Sequence, residues 1–301
     1  MNSIPPMQSM SVADARETSA SPPAPDRSIG AILIKIGRLS AADAEKVIRH
    51  QVERNLRFGD AAIALGLLSQ ADIEFALSRQ YDYPYLLRGE SDISPSVVAA
   101  YEPFTARVEA FRALRNQLMW RWFDAGAERK TLAITSAERG DGRSFFAANL
   151  AVVFSQQGQR TLLVDADLRH PSQHQLFGLE NRVGLSSILS GRGGIEAVQR
   201  VSALLDLSVL TAGAAPPNPS ELLGRPGFGD VLRQLAERFD VILIDTPATG
   251  ECSDAQMIAG RAGGALIVTR QNASHVRDVH DTIASLAESR THLVGTAMNN
   301  Y

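Results

Sequence analysis

Residues 131–158 read TLAITSAERGDGRSFFAANLAVVFSQQG, and this stretch decides the fold. A β-rich apolar run from Thr131 to Ser136 feeds a glycine-rich loop. The loop opens into an apolar helix that stops at Gly158. A phosphate needs that order of elements: a loop that exposes backbone N–H groups, then the partial positive charge of a helix N-terminus. Gly140 and Gly142 let the backbone wrap close to the phosphates, with Asp141 and Phe145 in the same cradle. Ser144 offers a hydroxyl to Mg²⁺. The standard loop carries Lys where this chain has Arg143. Arginine brings the same charge on a planar fork that donates two parallel hydrogen bonds to phosphate.

Moving outward from the loop, LLVDADLRHP (162–171) ends a strand with Asp165 and Asp167, and VILIDTP (241–247) ends another with Asp245. Short apolar runs of this kind alternate with amphipathic helices through to HLVGTAM (292–298). Such alternation predicts an α/β fold, a doubly wound and mostly parallel sheet covered on both faces. Ligands in open α/β sheets sit beyond the carboxyl ends of the strands. Three carboxylates gathered there repel one another unless a cation such as Mg²⁺ lies among them. Any one of these aspartates alone also admits a helix cap as the weaker reading. Together with the loop they read as a nucleotide and metal site.

The N-terminal half is organised differently. Residues 1–26 are rich in Ser, Pro and Ala and predict a disordered leader. Ser28–Gln51 and Arg57–Gln80 are two copies of one pattern, sharing Gly30/Gly59, Gly37/Gly66, Ser40/Ser69 and Asp43/Asp72 among others. In each copy a short apolar helix ends at Gly, and a Ser then caps a second helix. The repeat predicts a small all-α domain over 27–86. A linker punctuated by Gly and Pro follows over 87–104, and the P-loop domain over 105–301. The net charge of −3 gives no overall drive toward nucleic acid. A single cysteine, Cys252, excludes an internal disulfide. The N-terminus lacks the pattern of a signal peptide, and no apolar run approaches the roughly 20 residues that span a bilayer. The expectation is a cytoplasmic protein that meets the membrane through a partner.

SAERGDGRSFFAANLA, LLVDADLRHP and DVILIDTPA together resemble the three Walker motifs of the bacterial tyrosine kinases of polysaccharide export, in the deviant-Walker, MinD-like branch of P-loop NTPases. Over residues 28–301 the chain is similar to their chain-length-determinant group of the EpsG type, through LRFGDAAIALGLLSQADIEFAL, YDYPYL, RALRNQLMWRWF and PPNPSELL. That group carries Arg in the loop, so Arg143 reads as a group trait. The resemblance implies ATP and Mg²⁺ as cofactors and a regulator of exopolysaccharide polymerisation, export and chain length. Gly140 to Phe145 would hold the phosphates, with Arg143 neutralising charge on the γ-phosphate. Ser144, Asp165 and Asp245 would hold Mg²⁺, and Asp167 or Asp165 would orient or deprotonate the attacking tyrosine hydroxyl. Asn299, just after the last strand, is a candidate for adenine, and reads equally as a turn residue. Glu109-x-x-Arg112-x-x-Arg115 is similar to the element through which these kinases pack into rings. Without the resemblance it reads as an exposed helix face with i,i+3 ion pairs.

Two departures matter. These kinases usually end in a tail with several tyrosines, whereas Tyr301 is the only C-terminal tyrosine here, and Tyr81, Tyr83, Tyr85 and Tyr101 lie near the predicted linker. The helical repeat resembles the N-terminal domain of type II secretion and pilus ATPases, some of which bind cyclic di-GMP. Arg57 fits the first position of that motif, but Ser28 stands in its place in the first copy, so a protein-docking module is the preferred reading. Three functions follow: an ATP-dependent tyrosine autokinase working with the cytoplasmic tail of a membrane co-polymerase, a non-catalytic ATP-gated adaptor, and a partitioning-type ATPase. The last carries a second Lys early in the loop, where this chain has Glu138.

Overall fold

The computed structural model describes residues 28–80, 85–86, 88–89, 91–126 and 129–300. The predicted leader, Tyr81, Tyr83 and Tyr301 lie outside the described residues. The chain divides into two compact units that meet between Leu68 and Ser69.

The first unit holds α1 (Ile29–Lys35), α2 (Ala41–Arg54) and α3 (Phe58–Ala64). Ser28 and Ser40 cap α1 and α2, each hydroxyl accepting a backbone N–H three residues on. Gly37 turns the chain between them in the left-handed region, at φ 74°. Leu33, Leu39, Val47, Ala61 and Ala62 form the small core. Gly30 lies flat against the Phe58 ring, where a Cβ would sit 3.3 Å from its edge.

In the second unit, α4 (Gln70–Gln80) starts with the expected reciprocal cap. Ser69 N–H donates to Asp72 at 2.9 Å, and Asp72 N–H donates back to the Ser69 hydroxyl at 3.2 Å. The division therefore falls inside the second copy of the repeat and not at residue 86. An aromatic chain explains it: Phe75 of α4 packs edge-on to Tyr85, and Tyr85 edge-on to Phe104.

The segment expected as a linker is packed. Ile93 and Val97 to Tyr101, with α5 (Val98–Tyr101), are under a tenth exposed. Asn149 accepts from Ala99 N–H at 2.8 Å, Gln156 donates to the Ala99 carbonyl at 2.9 Å, and Tyr101 donates its hydroxyl to the Ile93 carbonyl. Pro and Gly punctuate this stretch, but its small apolar run can be buried whole.

The helix α6 (Ala106–Arg121) leads into β1 (Thr131–Thr135), α7 (Arg143–Ser155), β2 (Thr161–Asp165), α8 (Gln173–Phe177) and α9 (Leu185–Leu189). Then follow β3 (Gln199–Arg200), β4 (Leu207–Leu210), α10 (Pro219–Gly224), α11 (Gly227–Ala236), β5 (Val241–Asp245) and α12 (Asp254–Ala262). The chain closes with β6 (Gly264–Arg270), α13 (Val276–Glu288) and β7 (His292–Asn299). The sheet order is β3-β4-β2-β5-β1-β6-β7, parallel except for the short β3. Alternate strand residues feed two cores, as the period of two requires. Leu132, Ile134, Leu163 and Leu243 meet α6 and α7, while Ala133, Leu162, Ile242 and Ile244 meet α11 and α12. This is the expected doubly wound sheet. Its register sets Asp165 directly beside Asp245, and β1 delivers the glycine loop next to β5. No described helix is long and apolar enough to cross a membrane.

Candidate functional site

The loop after β1 turns on two left-handed glycines, Gly140 at φ 92° and Gly142 at φ 93°. Gly142 has no alternative, because a Cβ there would strike the side-chain nitrogen of Asn299. Asp141 sits in the cradle but uses its carboxylate to brace it. One oxygen accepts Glu138 N–H at 3.1 Å and the other accepts the Ser274 hydroxyl at 2.7 Å. Asn299 does lie against the loop, donating to the Asp141 carbonyl at 3.1 Å. Phe145 and Asn299 line two cavities beside it. One, of about 530 Å³, has Phe111, Phe146 and Met298 in its walls; the other, of about 560 Å³, has Gly140, Gly142 and Arg270.

Arg143, 6% exposed, opens α7 and folds back under the loop. Its Nε donates to the Thr246 carbonyl at 2.9 Å, and its Nη1 donates to the Ser136 hydroxyl at 2.6 Å and the Glu138 carbonyl at 2.8 Å. Nη2 has no hydrogen-bond partner among the described residues. The neighbouring Ser144 hydroxyl lies near enough to Asp245 to lower its pKa.

The carboxylates are deeply buried, Asp165 and Asp245 completely. One oxygen of Asp165 accepts the N–H groups of Ser172 and Gln173, both at 2.9 Å. Burial, and then the charge of Asp245, still push its pKa well above the carboxylate range. Burial raises Asp245 to about 6, against the pull of hydrogen bonds from Gln173 and Ser144 and of the Arg143 charge. Asp167 accepts the Arg169 and His170 N–H groups on Oδ1, at 3.2 and 2.9 Å, which leaves Oδ2 uncommitted among the described residues.

A polar atom buried without a partner costs about 1–3 kcal/mol. Four such atoms crowd this sheet edge: Asp165 Oδ1, Ser172 Oγ, Gln173 Oε1 and Asp245 Oδ1. Buried acceptors left unmatched fit a cation with its water shell. No group of three acidic, His or Cys side chains forms a metal cage among the described residues. That arrangement suits Mg²⁺, which keeps several waters and uses one or two carboxylates together with substrate phosphates. ATP and Mg²⁺ are thus compatible with the residues present.

Gln173 is the member of this site that sequence reading missed. No spacing rule marks it; only its place just after the second aspartate motif gives a hint. The ring element divides unevenly. Glu109 is exposed and pairs with Arg112, while Arg115 is 9% exposed and donates to the Val153 carbonyl at 2.8 Å. Tyr85 and Tyr101 are both buried.

Residues 128–300 match the ParA family model, described as an iron-transfer P-loop NTPase of the NUBPL kind. The tyrosine-protein kinase YwqD of Bacillus subtilis is 36% identical over 69% of this chain and 87% of its own length. The tyrosine-protein kinase wzc of Salmonella typhimurium is 33% identical over 68% of this chain, which spans only 28% of that relative. Among solved structures, the kinase domain of the Escherichia coli tyrosine kinase ETK superposes with a TM-score of 0.65 at 30% identity, covering 73% of this chain and 85% of that domain.

Proposed function

Since the chain belongs to the bacterial tyrosine-protein kinases and carries the ParA-type P-loop NTPase domain, we propose that it binds Mg·ATP at this sheet edge and transfers the γ-phosphoryl group to tyrosine. The observation that carries the reading is the set of unpartnered buried oxygens on Asp165 and Asp245, facing the same edge as the glycine loop and Ser144. In this reading the backbone of Gly140 to Phe145 cradles the phosphates, and Asn299 with Phe145 borders the place of the adenine. Arg143 meets the γ-phosphate with its uncommitted Nη2. Ser144, Asp165 and Asp245 hold Mg²⁺, with Asp165 or Asp245 acting directly or through water. Asp167, with Oδ2 free, orients the tyrosine hydroxyl, and Asp165 is the second candidate for that role.

Tyr85 and Tyr101 are too buried to reach a phosphate in this conformation, which leaves Tyr301, Tyr81, Tyr83 or another protein as acceptor. We further propose a role in exopolysaccharide polymerisation and chain length, at the inner membrane beside a co-polymerase whose cytoplasmic tail activates the chain. Glu109 presents the exposed part of a self-association surface that builds a ring, with the half-buried Arg112 paired to it. Arg115 supports that surface from inside. The helical domain over 27–86 docks a protein partner, with cyclic di-GMP as the lesser alternative ligand.

One observation favours an ATP-gated adaptor as the second reading. Three of the Arg143 donor contacts are already made to the loop itself and to Thr246, a holding arrangement that suits binding without turnover. Phosphotyrosine mass spectrometry after incubation with Mg·ATP and the co-polymerase tail separates the two. Phosphate on Tyr301, on Tyr81 or Tyr83, or on a partner, reduced roughly 10²-fold or more in Asp165→Asn, supports the kinase. Nucleotide binding with no phosphotyrosine supports the adaptor. Full transfer by Asp165→Asn removes that carboxylate from the mechanism.

A further inference from the structure

We infer that Gln173 is a further positioning residue of the metal site, holding Asp245 and Ser144 with the donor end of its side-chain amide and Asp165 with its backbone N–H, and receiving a metal-bound water on its amide oxygen. The inference rests on the Mg·ATP reading of the same edge.

Gln173 is completely buried, and it touches all three proposed ligands. Its backbone N–H donates to Asp165 at 2.9 Å. Its side-chain nitrogen donates to Asp245 at 2.7 Å and to the Ser144 carbonyl at 3.1 Å. Both side-chain partners are acceptors, so the NH₂ end must face them and the amide orientation is fixed by chemistry. Oε1 is then left buried and unpaired, as is one oxygen each of Asp165 and Asp245. Acceptors gathered this way need a donor. A water of the Mg²⁺ shell supplies one, because Mg²⁺ gives up its waters reluctantly. The side-chain amide also bridges β5 and the start of α7, while the backbone N–H reaches β2. It thereby ties the position of Asp245 to that of the glycine loop. Residues in this outer position commonly govern metal affinity about as strongly as 10–100-fold.

The test separates metal from nucleotide. Mg²⁺ is titrated calorimetrically into the full chain saturated with ADP, and ADP is titrated separately in EDTA. Gln173→Met keeps the length and volume of the side chain but loses both ends of the amide. It is expected to weaken Mg²⁺ binding at least about tenfold while leaving metal-free ADP affinity within about twofold. If Gln173→Met does not fold, Gln173→Asn, which keeps the amide but cannot span to both partners, carries the same expectation. Unchanged metal affinity overturns the inference, as does an equal loss of metal and metal-free ADP binding, which marks a merely structural role. A wild-type chain with no metal-dependent step overturns both the inference and the Mg·ATP reading. A normal wild-type step with an unaltered variant overturns the inference alone.

Discussion

Arg143, which opens α7, and Arg115 of α6, which reaches the other end of α7, are both less than a tenth exposed. Both belong to recognisable motifs, and both donate to backbone carbonyls. Their surroundings differ. At the C-terminal end, Arg115 caps the Val153 carbonyl, and Gln156 and Asn149 tie α7 to the packed segment through Ala99. At the N-terminal end, Arg143 has an unused nitrogen, and four buried side-chain atoms near it lack partners. One end of the helix is satisfied by the protein, and the other leaves buried polar atoms unpaired. Motif membership does not distinguish these two arginines. The state of their neighbours does.

Replacing each arginine sharpens this contrast. Arg143→Ala should weaken Mg·ATP binding by about 1.5–3 kcal/mol, the worth of hydrogen bonds to a charged group, and it should also lower the stability of the ligand-free protein, because the Thr246 and Glu138 carbonyls lose their donor. Fluorescence titration with an ATP analogue checks it, and unchanged affinity would detach Arg143 from the phosphates. Arg115→Ala should touch stability alone. It strands the Val153 carbonyl and removes a buried stem, costing about 2 kcal/mol of stability, with nucleotide affinity preserved. Urea unfolding beside the same titration reads both. Loss of nucleotide binding without loss of stability would break the comparison.

The satisfied and unsatisfied regions were not equally legible in the sequence. Strands β1, β2, β5 and β6 announce themselves as apolar runs that end in turn or acidic residues, because both of their faces are buried. Strand β4 and helix α12 went unseen. The first is four residues long, and the second runs through a Gly that weakens the helical signal. The packed segment near Val97 reads as a linker because tertiary hydrogen bonds from Asn149 and Gln156 decide its state, and those partners lie some fifty residues away. In the site, the aspartates and glycines were visible by position and spacing. Gln173 was not, since an amide that serves as a bridge follows no periodicity. Asp141 was visible, but its bracing use of the carboxylate was not.

The carboxylate pair gives a smaller and opposite effect. Asp245 titrates near 6 in the folded protein, raised chiefly by burial. The folded state therefore holds a proton more tightly than the unfolded one. Asp245 contributes most below its unfolded pKa, and that contribution fades as pH rises through about 6. Asp245→Asn should then stabilise the ligand-free protein at pH 7.5 by about 1–2 kcal/mol, with the gain shrinking toward pH 4. Mg·ADP should cease to raise its melting temperature. Calorimetric scans across pH test this, and a destabilised Asp245→Asn at pH 7.5 would mean the unpartnered oxygen is not a source of strain.

The smallest effect concerns the exposed half of the ring element, which belongs to neither end of α7. Glu109 pairs with Arg112 one turn along α6, and an exposed i,i+3 pair contributes about 0.2–0.5 kcal/mol. Glu109→Ala should therefore leave stability within about 0.5 kcal/mol of wild type. A surface that serves only its own helix predicts nothing further. A self-association surface predicts more, because each neighbour in a ring loses the same contact and the loss recurs around the assembly. Sedimentation velocity with Mg·ATP distinguishes the two. A wild-type oligomer that Glu109→Ala converts to monomer, at unchanged melting temperature, assigns the residue to the interface, whereas an unaltered oligomer confines Glu109 to its local ion pair.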